Sequence, residues 1–192
     1  MLIDGPLEPL ERRIYDAVGT GEVVVAPTHG FEPADGDQWP SDCEVRAEVL
    51  RELLTVDPRF DSRPARHLRA RGLRVVGVLD LQEDTLKCPL TLQGCSFESP
   101  IKLARAEAPA IGLSGSHVPG FDAESLRLAG GLRLTDGFSC AGSMSLLNAN
   151  VGGQLRLSGA ELHRMTGWPC TQTVSRQDKV SSSMAASGRT AS

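Results

Sequence analysis

A pair of apolar residues, two positions apart, returns about every eleven residues through the middle of the chain. The pairs are Leu68/Ala70, Leu79/Leu81, Leu90/Leu92, Ile101/Leu103, Ile111/Leu113, Phe121/Ala123, Leu132/Leu134, Met144/Leu146 and Leu155/Leu157. Residues two apart on a strand point to the same face. Each pair therefore predicts one short strand with a buried side. A fixed period of this length predicts a stacked architecture in which each unit buries its apolar side against its neighbours.

A second apolar or small pair follows each first pair by five residues. Examples are Leu73/Val75, Cys95/Phe97, Ala106/Ala108, Ser116/Val118, Leu126/Leu128, Ala149/Val151 and Ala160/Leu162. In the unit that begins at Leu132 it slips by one position to Phe138/Cys140, which predicts an inserted residue. Asp84 stands where a small residue is expected. Gly, Pro, Ser, Asn and Asp fill the intervals and predict turns. Two units then form one coil with four short sides. Stacked at roughly 4.8 Å per coil, the nine units make a rod about 20 Å long. The same spacing also suits an antiparallel sandwich, but its strands would be longer than these pairs. The ladder of a leucine-rich repeat is absent.

The first 66 residues follow other rules. Leu7, Leu10, Ile14 and Val18 predict a helix over 7–18, stopped at Gly19 and Gly21. The run 22–26 predicts a short strand, and 27–40, rich in Pro, Gly and Asp, a loop. A helix is predicted over 43–54, with Ser41 and Glu44 as its capping box, an apolar face of Val45, Val49, Leu50 and Leu53, and Pro58 beyond its end. These elements form an α-helical cap over 1–66. A β-helix repeat domain follows over 67–163. Past His163 the pairs stop. The tail, 164–192, is read either as a disordered C-terminus or as a frameshift. A shifted reading from Trp168 permits a segment that aligns without a gap on 121–143, which would make the chain a truncated product.

Segments such as 149–153 (Ala-Asn-Val-Gly-Gly) resemble the units of pentapeptide-repeat proteins. That resemblance implies a right-handed parallel quadrilateral β-helix. From Val45 to Leu162 the chain is similar to a set of uncharacterised bacterial proteins through four phrases: VRAEVLRELL at Val45, LDLxxxTLxCPLxL at Leu79, LSGSxxPG at Leu113 and GGQLxLSGAxL at Gly152. Such proteins are often named oxidoreductase or membrane-associated oxidoreductase, so the resemblance also implies an oxidoreductase or membrane-associated alternative of unknown substrate. No dinucleotide-binding G-x-G-x-x-G follows a strand here, and no Walker A, H-E-x-x-H or C-x-x-C occurs.

Composition adds little chemistry. The net charge is −4, and the first 66 residues hold 14 acidic against 7 basic groups. This balance gives no general case for nucleic acid. The five cysteines are odd in number and lack paired spacing, so free thiols in a reducing cytoplasm are expected. Cys88 and Cys95 are expected to be buried apolar groups rather than zinc or redox ligands. His29, His67, His117 and His163 are scattered, and His117, beside Ser114 and Ser116, has no carboxylate in its phrase. Ser99 and Lys102 form an isolated S-x-x-K without its companion motifs.

One charged run stands out: Arg63, Arg66, Arg69, Arg71 and Arg74. Pairing with the acidic cap, for instance at Glu48 and Glu52, is the leading expectation. A nucleic-acid or anionic-membrane contact is the alternative, and no aromatics interleave for base stacking. The sequence reading is a non-enzymatic repeat scaffold for an unidentified protein partner, with no catalytic, cofactor-binding or metal residues and no cofactor. It is placed in the cytoplasm or at the membrane periphery, and end-to-end self-association through an exposed coil is a further expectation.

Overall fold

A computed structural model describes residues 5–27, 30–55 and 66–166. The chain is mainly β, and its parallel strands stack into a β-solenoid of about four turns. Both members of all nine first pairs are at most 3% exposed, as the period-two reading requires. They belong, with the second pairs, to one apolar cluster along the solenoid interior.

The strands fall into four ladders. The first begins with β1 (Val23–Val25) and continues through Leu68–Arg71, Leu90–Gln93, Ile111–Ser114, Leu132–Arg133 and Leu155–Arg156. The second begins with β2 (Glu44–Arg46) and continues through Arg74–Val76, Ser96–Phe97 and His117–Val118 to the start of Ser139–Ser145. Ser139–Ser145 and Glu161–Thr166 turn a corner, so each also supplies a rung of the third ladder beside Asp122 and Lys102. The fourth joins Thr85, Glu107, Arg127 and Asn150. Every described strand pair is parallel, which removes the antiparallel sandwich.

The irregularities of the repeat have local causes. At the corner between the first and second ladders, Gly72, Gly94, Gly115 and Gly159 take positive φ. Asp136 occupies the same rung, since Gly115 N–H donates to Thr135 O and Asp136 N–H to Ser158 O. Gly137 is then the inserted residue that shifts the second pair to Phe138/Cys140. Gly115 also passes so close to its neighbour coil that a Cβ there would lie 3.1 Å from the Asp136 carbonyl. Asp84 departs from the small-residue rule because it faces outward and pairs with Arg51 (Nε–Oδ2 2.8 Å).

The residues before 67 do more than the sequence predicts. Helix α1 (Pro9–Val18) forms as expected and buries Leu10, Ile14 and Ala17 in the solenoid cluster. The strand expected over 22–26 forms as β1 and pairs with Leu68–Arg71, so it is the first rung of a ladder. The loop expected over 27–40 contains a 3-10 turn, Pro33–Gln38. Its Gly36 lies over the second ladder, where a Cβ would sit 1.9 Å from Ser96 Oγ. Trp39 is buried behind it, and its Nε1–H donates to Glu32 O (3.1 Å).

The helix expected over 43–54 starts later. Ser41–Cys43 is a 3-10 turn, 44–46 is strand β2, and α2 spans Ala47–Thr55. The proposed capping box at Ser41 and Glu44 is therefore not a helix start. The backbone of Arg74–Val76 offers an unpaired edge, and β2 fills it in register, Val45 opposite Val75. Val49, Leu50 and Leu54 of α2 are buried as an apolar face. At the other end, the strand that begins at Glu161 runs to Thr166, three residues past His163. Residues 167–192, with the tail's frame, and Pro58, Arg63, His29 and Cys170 lie outside the described residues.

Candidate functional site: an arginine-flanked groove on the first ladder

The residues between the members of each pair point outward, and the ladders stack them into columns. On the third and fourth ladders and their corner, Lys102, Arg105 and Arg127 each have an acidic partner within the solenoid. Lys102 Nζ lies 3.6 Å from Asp80, Arg127 pairs with Glu107 at 3.0 Å, and Arg105 forms a short bond to Glu83. On the second ladder Arg74 pairs with Glu44 at 2.5 Å and approaches Asp37 at 3.7 Å.

The first ladder is different. Its central outer column reads Val23, Arg69, Thr91, Gly112, Arg133, Arg156 along the solenoid axis. Arg71 stands beside Arg69 on the same strand, and all four arginines are exposed. None of the four is in an ion pair among the described residues; Arg156 Nε–H donates to the neutral Gln154 Oε1 (2.9 Å). Between them the column dips. Gly112 has no side chain, and a groove of about 520 Å³ opens over it. His67 lines the same groove, and its Nε2 lies 2.9 Å from Thr91 Oγ1. Burial, with help from the Arg69 charge, pushes the His67 pKa down, so the ring is neutral at pH 7. Among the described residues, no acidic residue lines the groove.

The arginine run of the sequence is thus divided by the corner at Gly72. Arg74 turns to the second ladder and its acidic partners, whereas Arg69 and Arg71 face the groove. Glu48 pairs not with the run but with Arg46, at 3.5 Å. Sequence reading missed Arg133 and Arg156 because they lie more than sixty positions away. The signal was available: in alternate units, the residue between the pair members is Arg69, Thr91, Gly112, Arg133 and Arg156.

The other candidate groups are dispersed. His117 Nδ1 lies 2.8 Å from Ser139 Oγ, one rung on, and His163 Nδ1 lies 3.1 Å from Cys140 O. Lys102 of the S-x-x-K reaches Asp80. Among the described residues, no three His, Cys, Asp or Glu side chains converge as metal ligands, and no helix is long and apolar enough to cross a membrane.

Cys43, Cys88, Cys95 and Cys140 are buried and free. Burial pushes the Cys95 thiol up to about 12; burial, helped by the neighbouring Asp42, pushes Cys43 up to about 11. Cys95 N–H donates to Ser116 Oγ (3.1 Å), a polar group the interior satisfies internally. Thiol reactivity follows the thiolate and its access. In a Cys170→Ser variant these four thiols are expected to resist a disulfide reagent at pH 8 until the protein is denatured. A thiol that reacts at once in the native state would show one of them to be accessible after all.

No protein-family model, curated protein or solved structure matches this chain.

Proposed function

We propose that this chain is a non-enzymatic scaffold: a right-handed, quadrilateral β-helix of the pentapeptide-repeat kind, closed at its N-terminal end by an α-helical cap, that presents an outer face to a protein partner. One observation carries the functional part. Lys102 and Arg127, on the third and fourth ladders, are paired with acids within the solenoid, while the first ladder keeps four arginines and, among the described residues, a groove without a matching acid. Uncompensated arginines at a concave face are more useful for recognition than for folding, because exposed charge adds little stability. The interior, by contrast, is filled with apolar side chains and neutral thiols.

Two further observations support the fold reading. Four ladders per turn suit a four-sided coil. Leu10, Ile14, Leu50 and Leu54 enter the same apolar cluster as the first coil, as cap residues would.

The competing reading, an oxidoreductase, requires a redox group. Ultraviolet-visible spectra and native mass spectrometry of the purified full chain test it. The scaffold predicts a spectrum of protein alone and a mass equal to the polypeptide. A flavin, nicotinamide or metal bound at one equivalent would overturn the scaffold.

A further inference from the structure

We infer that the groove over Gly112 binds an extended acidic segment of a partner protein, laid along the solenoid axis with carboxylates four residues apart. The inference rests on the scaffold reading and names the partner's chemistry.

The spacing comes from two regular structures. Arg69 and Arg133 occupy one column and are separated by three rungs, through Thr91 and Gly112. At ~4.8 Å per rung their backbones are about 14 Å apart. An extended peptide rises about 3.3 Å per residue, so side chains at i and i+4 share a face and stand about 13 Å apart. Two glutamates at that spacing meet Arg69 and Arg133 together. Arg156, one rung beyond Arg133, and Arg71, two residues from Arg69, give each carboxylate a second guanidinium. The guanidinium fork matches a carboxylate with two parallel hydrogen bonds.

The floor of the groove makes room for the peptide between those two contacts. Gly112 is itself buried at the bottom, with Thr91 and Arg133 on either side. Its φ is not in the left-handed region, and an added Cβ would meet Thr91 and Arg133 side-chain atoms at 3.7–3.9 Å, ordinary contact distances. The fold therefore does not require glycine here. A side chain would stabilise the strand while filling the groove. Chemistry favours a peptide over the two other polyanions. Among the described residues the groove has no Phe, Tyr or Trp for base stacking. It is also concave, with its arginines at opposite ends along the axis, which suits a narrow chain better than a flat bilayer.

The test is a titration of the ¹⁵N-labelled full chain, followed by amide shifts. The probes are a threonine-rich peptide of about a dozen residues with two glutamates four apart, its glutamine counterpart, an oligothymidylate, and phosphatidylserine–phosphatidylcholine vesicles. The glutamate peptide is expected to move the amides of Thr91, Gly112 and Arg133, with affinity falling as salt rises. Arg133→Gln is expected to weaken it about tenfold, the loss of one charge-assisted contact. Gly112→Thr is expected to weaken it at least as much while leaving the melting temperature unchanged or raised. Equal binding of the glutamine peptide, undiminished binding by Gly112→Thr, or tighter arginine-dependent binding of the oligonucleotide or vesicles would each overturn the inference. Such a failure removes this groove's assignment alone; the scaffold falls only if a bound redox group appears in the spectra.

Discussion

Replacing Phe121 by alanine is expected to cost about 3–5 kcal/mol, the range for truncating a fully buried aromatic, and to loosen the far end of the solenoid more than the near end. Phe121 is 1% exposed and Phe138 is fully buried; their rings meet edge to face, with centroids 6.4 Å apart at 82°. Most of the interior is leucine, alanine and valine, so these two rings fill a disproportionate volume. Phe138 stands in a column otherwise occupied by Leu73, Cys95, Ser116 and Ala160, and its immediate neighbours on the ladder are the small Ser116 and Ala160. The inserted Gly137 at the preceding corner gives this coil the slack to hold a ring where adjacent coils hold small groups.

The solenoid geometry decides how the damage spreads. Each coil contacts only its neighbours, so stability is a sum of coil and interface contributions. A cavity at Phe121 weakens the interface between the coils before and after it. Hydrogen exchange is expected to show lost protection over 132–166, while 68–93, backed by α1 and α2, keeps most of its own. Phe121→Leu, which retains much of the volume, should cost less than half as much as the alanine variant. Uniform loss of protection along the chain would show instead that the solenoid unfolds as one unit.

That interior was legible in the sequence because burial in a strand has a strict period. Each first pair and each second pair is buried, including Phe138/Cys140 after its one-residue slip, and the one misfit, Asp84, marks a contact with α2. Local signals failed where tertiary pairing outbid them. Ser41 and Glu44 look like a helix start, but residues 44–46 lie beside the open edge of Arg74–Val76, and ladder hydrogen bonds claimed them. The groove was half legible. Arg69 and Arg71 appeared as part of a run, yet the corner at Gly72 sends Arg74 to the next ladder, and Arg133 and Arg156 come from two coils that only the stacking register brings near. Gly112 reads as a mere spacer until its column is written out.

The second large effect is expected at Glu11, and it makes the stability of the N-terminal end depend on acid. Glu11 is 1% exposed. Its carboxylate accepts hydrogen bonds from Arg46 N–H (3.0 Å), Arg46 Nε–H (2.9 Å), Arg46 Nη2–H (2.7 Å) and Glu8 N–H (3.0 Å). It thus holds the first turn of α1 to β2. Burial alone would raise its pKa, but the Arg46 side chain and the two backbone N–H groups outweigh burial and bring it below its ordinary 4.5. A folded-state pKa below the unfolded one means that the contribution is fully present above the unfolded value and is lost as pH falls through the folded value. Removing one partner of a buried pair costs about 3–5 kcal/mol, because the other partner is left without its counter-charge. Arg46 keeps 30% of its side chain exposed and has Glu48 at 3.5 Å, so Glu11→Ala is expected near the lower end, about 3 kcal/mol. For a chain of this size that is a fall of about 6–12 °C in melting temperature. The difference between wild type and Glu11→Gln should be widest at pH 7 and narrow as the pH drops below about 4.5, where Glu11 takes up its proton. Melting curves across that interval decide it: a difference that stays constant into acid would mean that the carboxylate's charge contributes nothing and only its shape matters.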